Sequence, residues 1–384
     1  MRRLHYVPKV NSEVLVIDER LSNFLLKCIP KHCEFTIVKN RGYIPYVRSI
    51  SFFIKLVIFC TRFGLTSKSI MLAIIDELKP KVVITFIDNN VAAQGLNLVH
   101  PEIRFISIQN GVRTLRNITK LNKINFDSYY GFGLFEKESF LSKGGSFVNY
   151  YPSGSLKLGL FLSKYNYLPN KIKKNKTICF VSQYRSEALL HNNPSNTSVG
   201  DLLRDFVKIS EDLYRQTVNY ALLNDYTIHI AMTYNAGDSD YSAEKSYFQK
   251  IIASDVVKYF DNDLDEMTSY KVAIESDLII GFDSTLLMEM FGCNKRVVWG
   301  LDSKFGFAKA WGLEAYPMYI PSELILVNLN KDSFDNKLNN LLLMNDEKYS
   351  NLTKKSREYF INSERPYVHE TIKHDIDEYL STNG

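Results

Sequence analysis

Short apolar runs rich in β-branched residues recur along this chain, each followed by a stretch with helical character. Runs that are mainly apolar, rather than alternating, belong to parallel strands covered on both faces. In the first part they are Ser12–Ile17, Cys33–Val38, Lys81–Ile87, Arg104–Ile108 and Ser128–Phe132. Helices are predicted over Glu19–Cys28, 50–63, 67–77 and 90–98. Residues 166–176, rich in Asn, Lys and Tyr, read as a linker, and the pattern then restarts. The second set of strands is Thr177–Ser182, Tyr226–Met232, Val256–Tyr259, Asp277–Gly281 and Arg296–Trp299. Its helices are Asp201–Asn224, Ala243–Ala253, Leu264–Ser276 and Ser284–Phe291, and the tail over 346–384 is helical. The expected fold class is α/β: two Rossmann-like domains facing a cleft, spanning 1–165 and 177–345, followed by C-terminal helices.

Composition narrows the function classes. With 384 residues the chain is too long for one ordinary core. The net charge of +5 is dispersed. Its densest run, Lys171 to Lys176, reads as solvated linker rather than a nucleic-acid patch, so no nucleic-acid partner is expected. The spacing of Cys28, Cys33, Cys60, Cys179 and Cys293 fits neither a zinc site nor a redox pair, which points to reduced thiols and a cytoplasmic location. Residues 1–13 lack the apolar core of a secretory leader. The most apolar run, Ile50–Phe63, is interrupted by Lys55 and falls short of the ~20 residues that span a bilayer. It reads first as a buried helix. The second reading is an interfacial helix flanked by Arg48 and Arg62, giving peripheral association with the inner face of the cytoplasmic membrane.

Open α/β sheets keep their chemistry just past the carboxyl ends of strands. The run ending at Ile87 delivers Asp88, with Asn89 beside it: a catalytic carboxylate, or an N-cap for the next helix. The run ending at Ile108 leads to Gln109, Asn110, Gly111 and Arg113. Asn-Gly favours a tight turn, with Gln109 and Arg113 flanking it to hold sugar hydroxyls or a carboxylate, or serving as an ordinary joint. Ser182, Gln183 and Arg185 offer a hydroxyl, an amide and a guanidinium to an anion, or are loop chemistry with Arg185 paired to Glu187. Asp238, Asp240 and Glu244 crowd one loop without metal-ligand spacing, and a loop followed by a helix with an acidic first turn is preferred over a metal site. His229 reads as a half-buried strand histidine. Asp283, Ser284 and Thr285 open a helix, where hydroxyls and free N–H groups suit a phosphate. Glu289, one turn further on, is expected on the same face.

These segments together resemble the surface-carbohydrate (O-antigen) biosynthesis proteins of bacterial polysaccharide loci. The likeness is carried by Ile84 to Asn90, Ile108 to Arg113, Gly131-Phe132-Gly133, Tyr151 to Lys157, Phe180 to Arg185 and Gly281 to Leu286. The last is similar, more loosely, to transferases that use CMP-activated sugar acids such as Kdo or nonulosonates. The resemblance implies a GT-B glycosyltransferase that needs no metal and no cofactor. Its partners would be a nucleotide-activated sugar, with a CMP-linked sugar acid favoured, and a glycan or lipid-linked glycan acceptor. Asp88 would act at the anomeric centre, Arg113 or Arg185 would hold the donor carboxylate, and Ser284 and Thr285 the phosphate. Rival readings are a UDP-, GDP- or dTDP-sugar donor, an epimerase, a CDP-polyol phosphotransferase and a non-catalytic scaffold.

Overall fold

Strand β2 (Val14–Ile17) is buried at all four positions, and successive residues feed two different cores. Val14 and Val16 pack with Cys28, Val82, Ile84 and Ile106, while Leu15 and Ile17 pack with Phe52, Leu72, Ile75 and Val83. That is the side-chain alternation of a central strand with helices over both faces. The computed structural model describes residues 3–17, 22–40, 42–86, 95–113, 125–167, 175–186, 198–261, 263, 265–302, 304 and 319–383.

The chain divides into two units. The first comprises Met1–Gly111, Ile118–Lys164 and Ile361–Gly384, and the second Val112–Asn117 and Tyr165–Phe360. In the first unit, β2 joins β3 (Phe35–Val38), β5 (Val82–Thr85), β6 (Arg104–Ile108), β7 (Asn125–Gly131) and β8 (Ser146–Pro152) in one parallel sheet of order β3-β2-β5-β6-β7-β8. A separate parallel pair joins β1 (Arg3–Tyr6) to β4 (Tyr43–Tyr46). Helix α1 (Ser22–Leu25) is followed by a 3₁₀ turn at Leu26–Cys28. Helices α2 (Ile50–Phe63) and α3 (Ser67–Leu78) form a hairpin, and α4 (Leu134–Ser142) and α5 (Leu156–Tyr165) accompany β7 and β8.

The last helix of the chain, α12 (Val368–Asn383), belongs to this first unit. Val368, Ile372, Ile376 and Leu380 enter the core that holds Cys28, Ile29 and Cys33. Asp375 completes the attachment: Arg104 Nη2 donates to it at 3.0 Å and the Tyr130 hydroxyl at 2.7 Å. The tail is therefore not one helical block. Helix α11 (Asp346–Phe360) stays with the second unit, and the chain then crosses back. At the crossing Asn362 N donates to Phe132 O at 2.9 Å, and Gly154 lies against the Asn362 carbonyl. Gly154 has φ +88°, and a Cβ there would come within 1.9 Å of that oxygen, so only glycine fits.

The second unit is a parallel sheet of order β11-β10-β9-β12-β13-β14. Its strands are β9 (Thr177–Val181), β10 (Thr227–Ala231), β11 (Val257–Tyr259), β12 (Leu278–Gly281), β13 (Val297–Gly300) and β14 (Ile325–Leu326). The helices are α6 (Ser198–Asn224), α7 (Tyr241–Ile251), α8 (Thr268–Glu275), α9 (Thr285–Gly292), α10 (Lys331–Leu343) and α11. All five cysteines are free. No helix among the described residues is long and apolar enough to cross a membrane. Of the expected helix over 90–98, residues 90–94 lie outside the described residues and Gly95–Leu98 are turn and coil. The expectation that Ile50–Phe63 is a buried helix is overturned: only Phe52 is buried.

Lys55, inside α2, is held by α3. Its ammonium donates to Glu77 at 2.8 Å and lies 3.4 Å from Asp76. Lys9 Nζ, the Ser49 hydroxyl and Ser51 also bond to Glu77, whose side chain is 1% exposed. Burial alone would push this carboxyl up, but the bonds from Lys55, Lys9 and Ser49 outweigh it and hold it well below the ordinary range. A carboxyl depressed on folding stabilises above its unfolded pKa of about 4.3, and that stabilisation drains away as the pH falls below it. Glu77→Gln should therefore lose about 1–3 kcal/mol in urea titrations at pH 7, with the gap to wild type narrowing toward pH 3.

Candidate functional site

Sequence order and sheet order diverge at one place in each unit. In the second, β10 and β11 extend the sheet to one side of β9, and β12, β13 and β14 extend it to the other. The connections above β9 and β12 thus leave in opposite directions, opening a crevice at their carboxyl ends. Ser182 to Arg185 leave β9 there, and Phe282 to Thr285 leave β12. In the first unit the divergence lies between β2 and β5. Asp88 and Asn89 follow β5 in sequence and lie outside the described residues.

Helix α9 begins at Thr285 with Ser284 as its N-cap, in extended conformation. The Ser284 hydroxyl makes no capping bond, and the first-turn N–H groups have no intrahelical acceptor. Asp283, Ser284 and Thr285 are half-buried. Thr285 Oγ1 accepts from the backbone N–H of Val112 at 3.2 Å, a residue grouped with the second unit, and Arg113 beside it is buried. Across the switch point, Gln183 is half-buried and has no hydrogen-bond partner among the described residues, and Arg185 is exposed. The Arg185 guanidinium lies 5.0 Å from the Phe206 ring, with no carboxylate partner among the described residues. Gln183, Tyr184 and Arg185 line a narrow pocket with Phe206, Ser210 and Tyr247. The buried Ser210 hydroxyl has no partner there. Phe206 and Ser210 sit within a long amphipathic helix and carry no sequence signal beyond core packing.

Glu244 of α7 ties two strand ends together. Its carboxylate, fully buried, accepts from Thr233 N at 2.9 Å, from Tyr234 N at 3.0 Å and from the Ser182 hydroxyl. Burial raises its pKa even against those bonds. Ser182 is 4% exposed, and its oxygen also accepts from Tyr184 N at 3.2 Å, so it shapes the turn that presents Gln183 and Arg185. Asp238 accepts from Asn235 in its own loop, and no metal-binding cluster occurs among the described residues. His229 is half-buried in β10, edge-on to Phe260 at 4.9 Å, and burial lowers its pKa.

Two expected contact residues point inward. Glu289 is 1% exposed and accepts from the Tyr270 hydroxyl of α8 at 2.8 Å. Burial and the Glu289 carboxylate push the Tyr270 pKa up, which keeps that hydroxyl a donor. An α-helix rotates about 100° per residue, so five steps from Ser284 carry Glu289 off its face. In the first unit, Gln109 is fully buried. Its Oε1 accepts from Phe132 N at 2.9 Å, and its Nε2 donates to Glu136 at 2.9 Å and to Gly111 O at 3.0 Å. Both N–H groups are spent, and the carboxamide sets the Asn110–Gly111 turn instead of facing solvent. Asn110 is half-buried above it.

No protein-family model and no curated protein sequence matches the chain. Solved structures match it along its length. It is similar to the S. aureus MnaA–UDP co-structure at 14% identity, covering 100% of this chain and 97% of that one, with a TM-score of 0.52. It is also similar to UDP-GlcNAc 2-epimerase from Neisseria meningitidis bound to UDP-GlcNAc, at 12% identity, 96% and 99% coverage and TM-score 0.52. The Methanocaldococcus jannaschii UDP-GlcNAc 2-epimerase in complex with UDP-GlcNAc and UDP matches at 11%, 97%, 99% and 0.52. At these identities the likeness is one of fold. The chain has the GT-B fold, with two Rossmann-like domains.

Removing the Glu244 carboxylate strands two backbone N–H groups. Glu244→Ala should cost about 2–4 kcal/mol in chemical denaturation, whereas Asp238→Ala, at the exposed tip, should stay within about 1 kcal/mol.

Proposed function

We propose that the chain is a nucleotide-sugar-dependent glycosyltransferase that builds a bacterial surface polysaccharide, with a CMP-linked sugar acid as donor. The observation that carries the reading is the β9/β12 switch point. There the Ser284 hydroxyl, which makes no capping bond, the first-turn N–H groups of α9, which lack an intrahelical acceptor, Gln183 and Arg185 stand at the ends of adjoining strands. Such a set suits one phosphate without a divalent cation, because the helix terminus and hydroxyls supply the positive end of several dipoles. A CMP leaving group carries a single phosphate, and the sugar-acid carboxylate gives Arg185 or Arg113 a bidentate partner. Asp88 is the carboxylate proposed for the anomeric centre, with Asn89 and Asn110 on the acceptor side. The donor class and the polysaccharide role rest on the resemblance of the strand-end motifs.

A second reading takes its support from the fold neighbours, which were solved with UDP or UDP-GlcNAc bound. It gives the same switch point a uridine nucleotide and the chain either a UDP-sugar transfer or an epimerisation.

A thermal-shift panel with CMP, CDP, UDP, GDP and dTDP separates the readings, since a ligand that binds only the native state raises Tm. The expected result is a shift with CMP that EDTA leaves unchanged. A shift with UDP alone transfers the assignment to the second reading, and release of UDP from UDP-GlcNAc without any acceptor identifies an epimerase. No shift at millimolar nucleotide contradicts both and favours a non-catalytic scaffold. Asp88→Ala should keep the nucleotide shift and lose about 10²–10⁴ in transfer rate.

A further inference from the structure

Helix α2 carries apolar residues on both of its faces, and among the described residues only one face is covered. Phe52, Leu56, Phe59 and Phe63 pack into the core shared with α3. Ile50, Phe53, Ile54, Val57 and Ile58 follow the i, i+3, i+4, i+7, i+8 spacing of a single stripe, and they are 81%, 53%, 57%, 63% and 58% exposed. Leu65, just past the helix, is 82% exposed. A contiguous apolar stripe of this kind on a folded protein marks a surface that is covered in use.

We propose that this face of α2 docks on an anionic lipid bilayer, lying in the headgroup plane. The charge around it selects that occupant. From Phe35 to Ile75 the sequence contains Lys39, Arg41, Arg48, Lys55, Arg62 and Lys68 and no Asp or Glu, in a chain with 42 acidic residues. Arg48 and Arg62 bracket the stripe, both exposed, with no ion pair among the described residues. The Arg62 guanidinium and the Lys68 ammonium lie 5.1 Å and 5.2 Å from the Phe63 ring. Lys55, in the middle of the helix, is turned away to Asp76 and Glu77. A second copy of the chain would bring Arg48 and Arg62 against their equivalents with no carboxylate on the helix to pair them, whereas anionic headgroups supply the missing counter-charge. At 14 residues the helix is about 21 Å long, too short to cross a ~30 Å hydrocarbon core and suited to lying along its surface. This inference is independent of which nucleotide the second unit takes.

Co-sedimentation of the full chain with vesicles tests it, using phosphatidylcholine alone and phosphatidylcholine with about one-third phosphatidylglycerol. The expected result is binding to the anionic vesicles that weakens as salt is raised, with little binding to phosphatidylcholine. Val57→Asp and Ile54→Asp should each weaken it by about tenfold or more while leaving the thermal melt unchanged, because both side chains face solvent. Arg48→Glu with Arg62→Glu should abolish the preference for anionic lipid. No sedimentation with anionic vesicles, binding that Val57→Asp leaves intact, or equal binding to both vesicle types overturns the proposal. So does a dimer in light scattering that Val57→Asp dissociates in a protein that ignores vesicles.

Discussion

A parallel strand covered on both faces has no place for a polar side chain except at its ends. Strands β2, β5, β9, β12 and β13 are buried at every position, and their polar neighbours are displaced to the connections. Where the winding direction reverses, two such connections part and leave room for a ligand. The geometry of the candidate site follows from that constraint. Ser182 to Arg185 and Asp283 to Thr285 stand together because β9 and β12 are hydrogen-bonded neighbours. The remaining polar groups of the region hold the connections in shape. Glu244 pins the ends of β9 and β10, Glu289 pins α9 to Tyr270, and Gln109 pins the turn after β6 to the turn after β7.

Much of the framework was legible in the sequence for the same reason. Unbroken apolar runs such as Val14–Ile17 and Leu278–Gly281 announce strands, and α2 and α3 appear at their expected places. Strands β1, β4 and β8 were not legible. They lie at edges or outside the main sheets, and their half-exposed, aromatic-rich residues do not form a run. The return of α12 to the first unit was also invisible, because it depends on Asp375 meeting Arg104 and Tyr130 across more than two hundred residues.

The site was legible in part. Position after a strand singled out the loops that meet at the β9/β12 switch point, but it does not say which side chains face outward. That is decided by helix phase for Glu289 and by a buried hydrogen-bond shell for Gln109. Two segments that contributed to the surface-carbohydrate resemblance contain packing residues. Gly154 accommodates the Asn362 carbonyl, and at Gly131 a Cβ would collide with the Tyr150 hydroxyl, 2.1 Å away. The hydrophobicity of Ile50–Phe63 was plain, but its exposure was not, because periodicity cannot tell which of two apolar faces finds a partner.

The central claim is that a nucleotide phosphate sits at the β9/β12 switch point. Isothermal titration of wild type and Ser284→Ala with the nucleotide that binds best tests it most directly, because the Ser284 hydroxyl makes no capping bond and its removal should leave the fold intact. The account predicts an affinity loss of roughly tenfold, about one charge-assisted hydrogen bond. Unchanged affinity in a well-folded Ser284→Ala protein would contradict it.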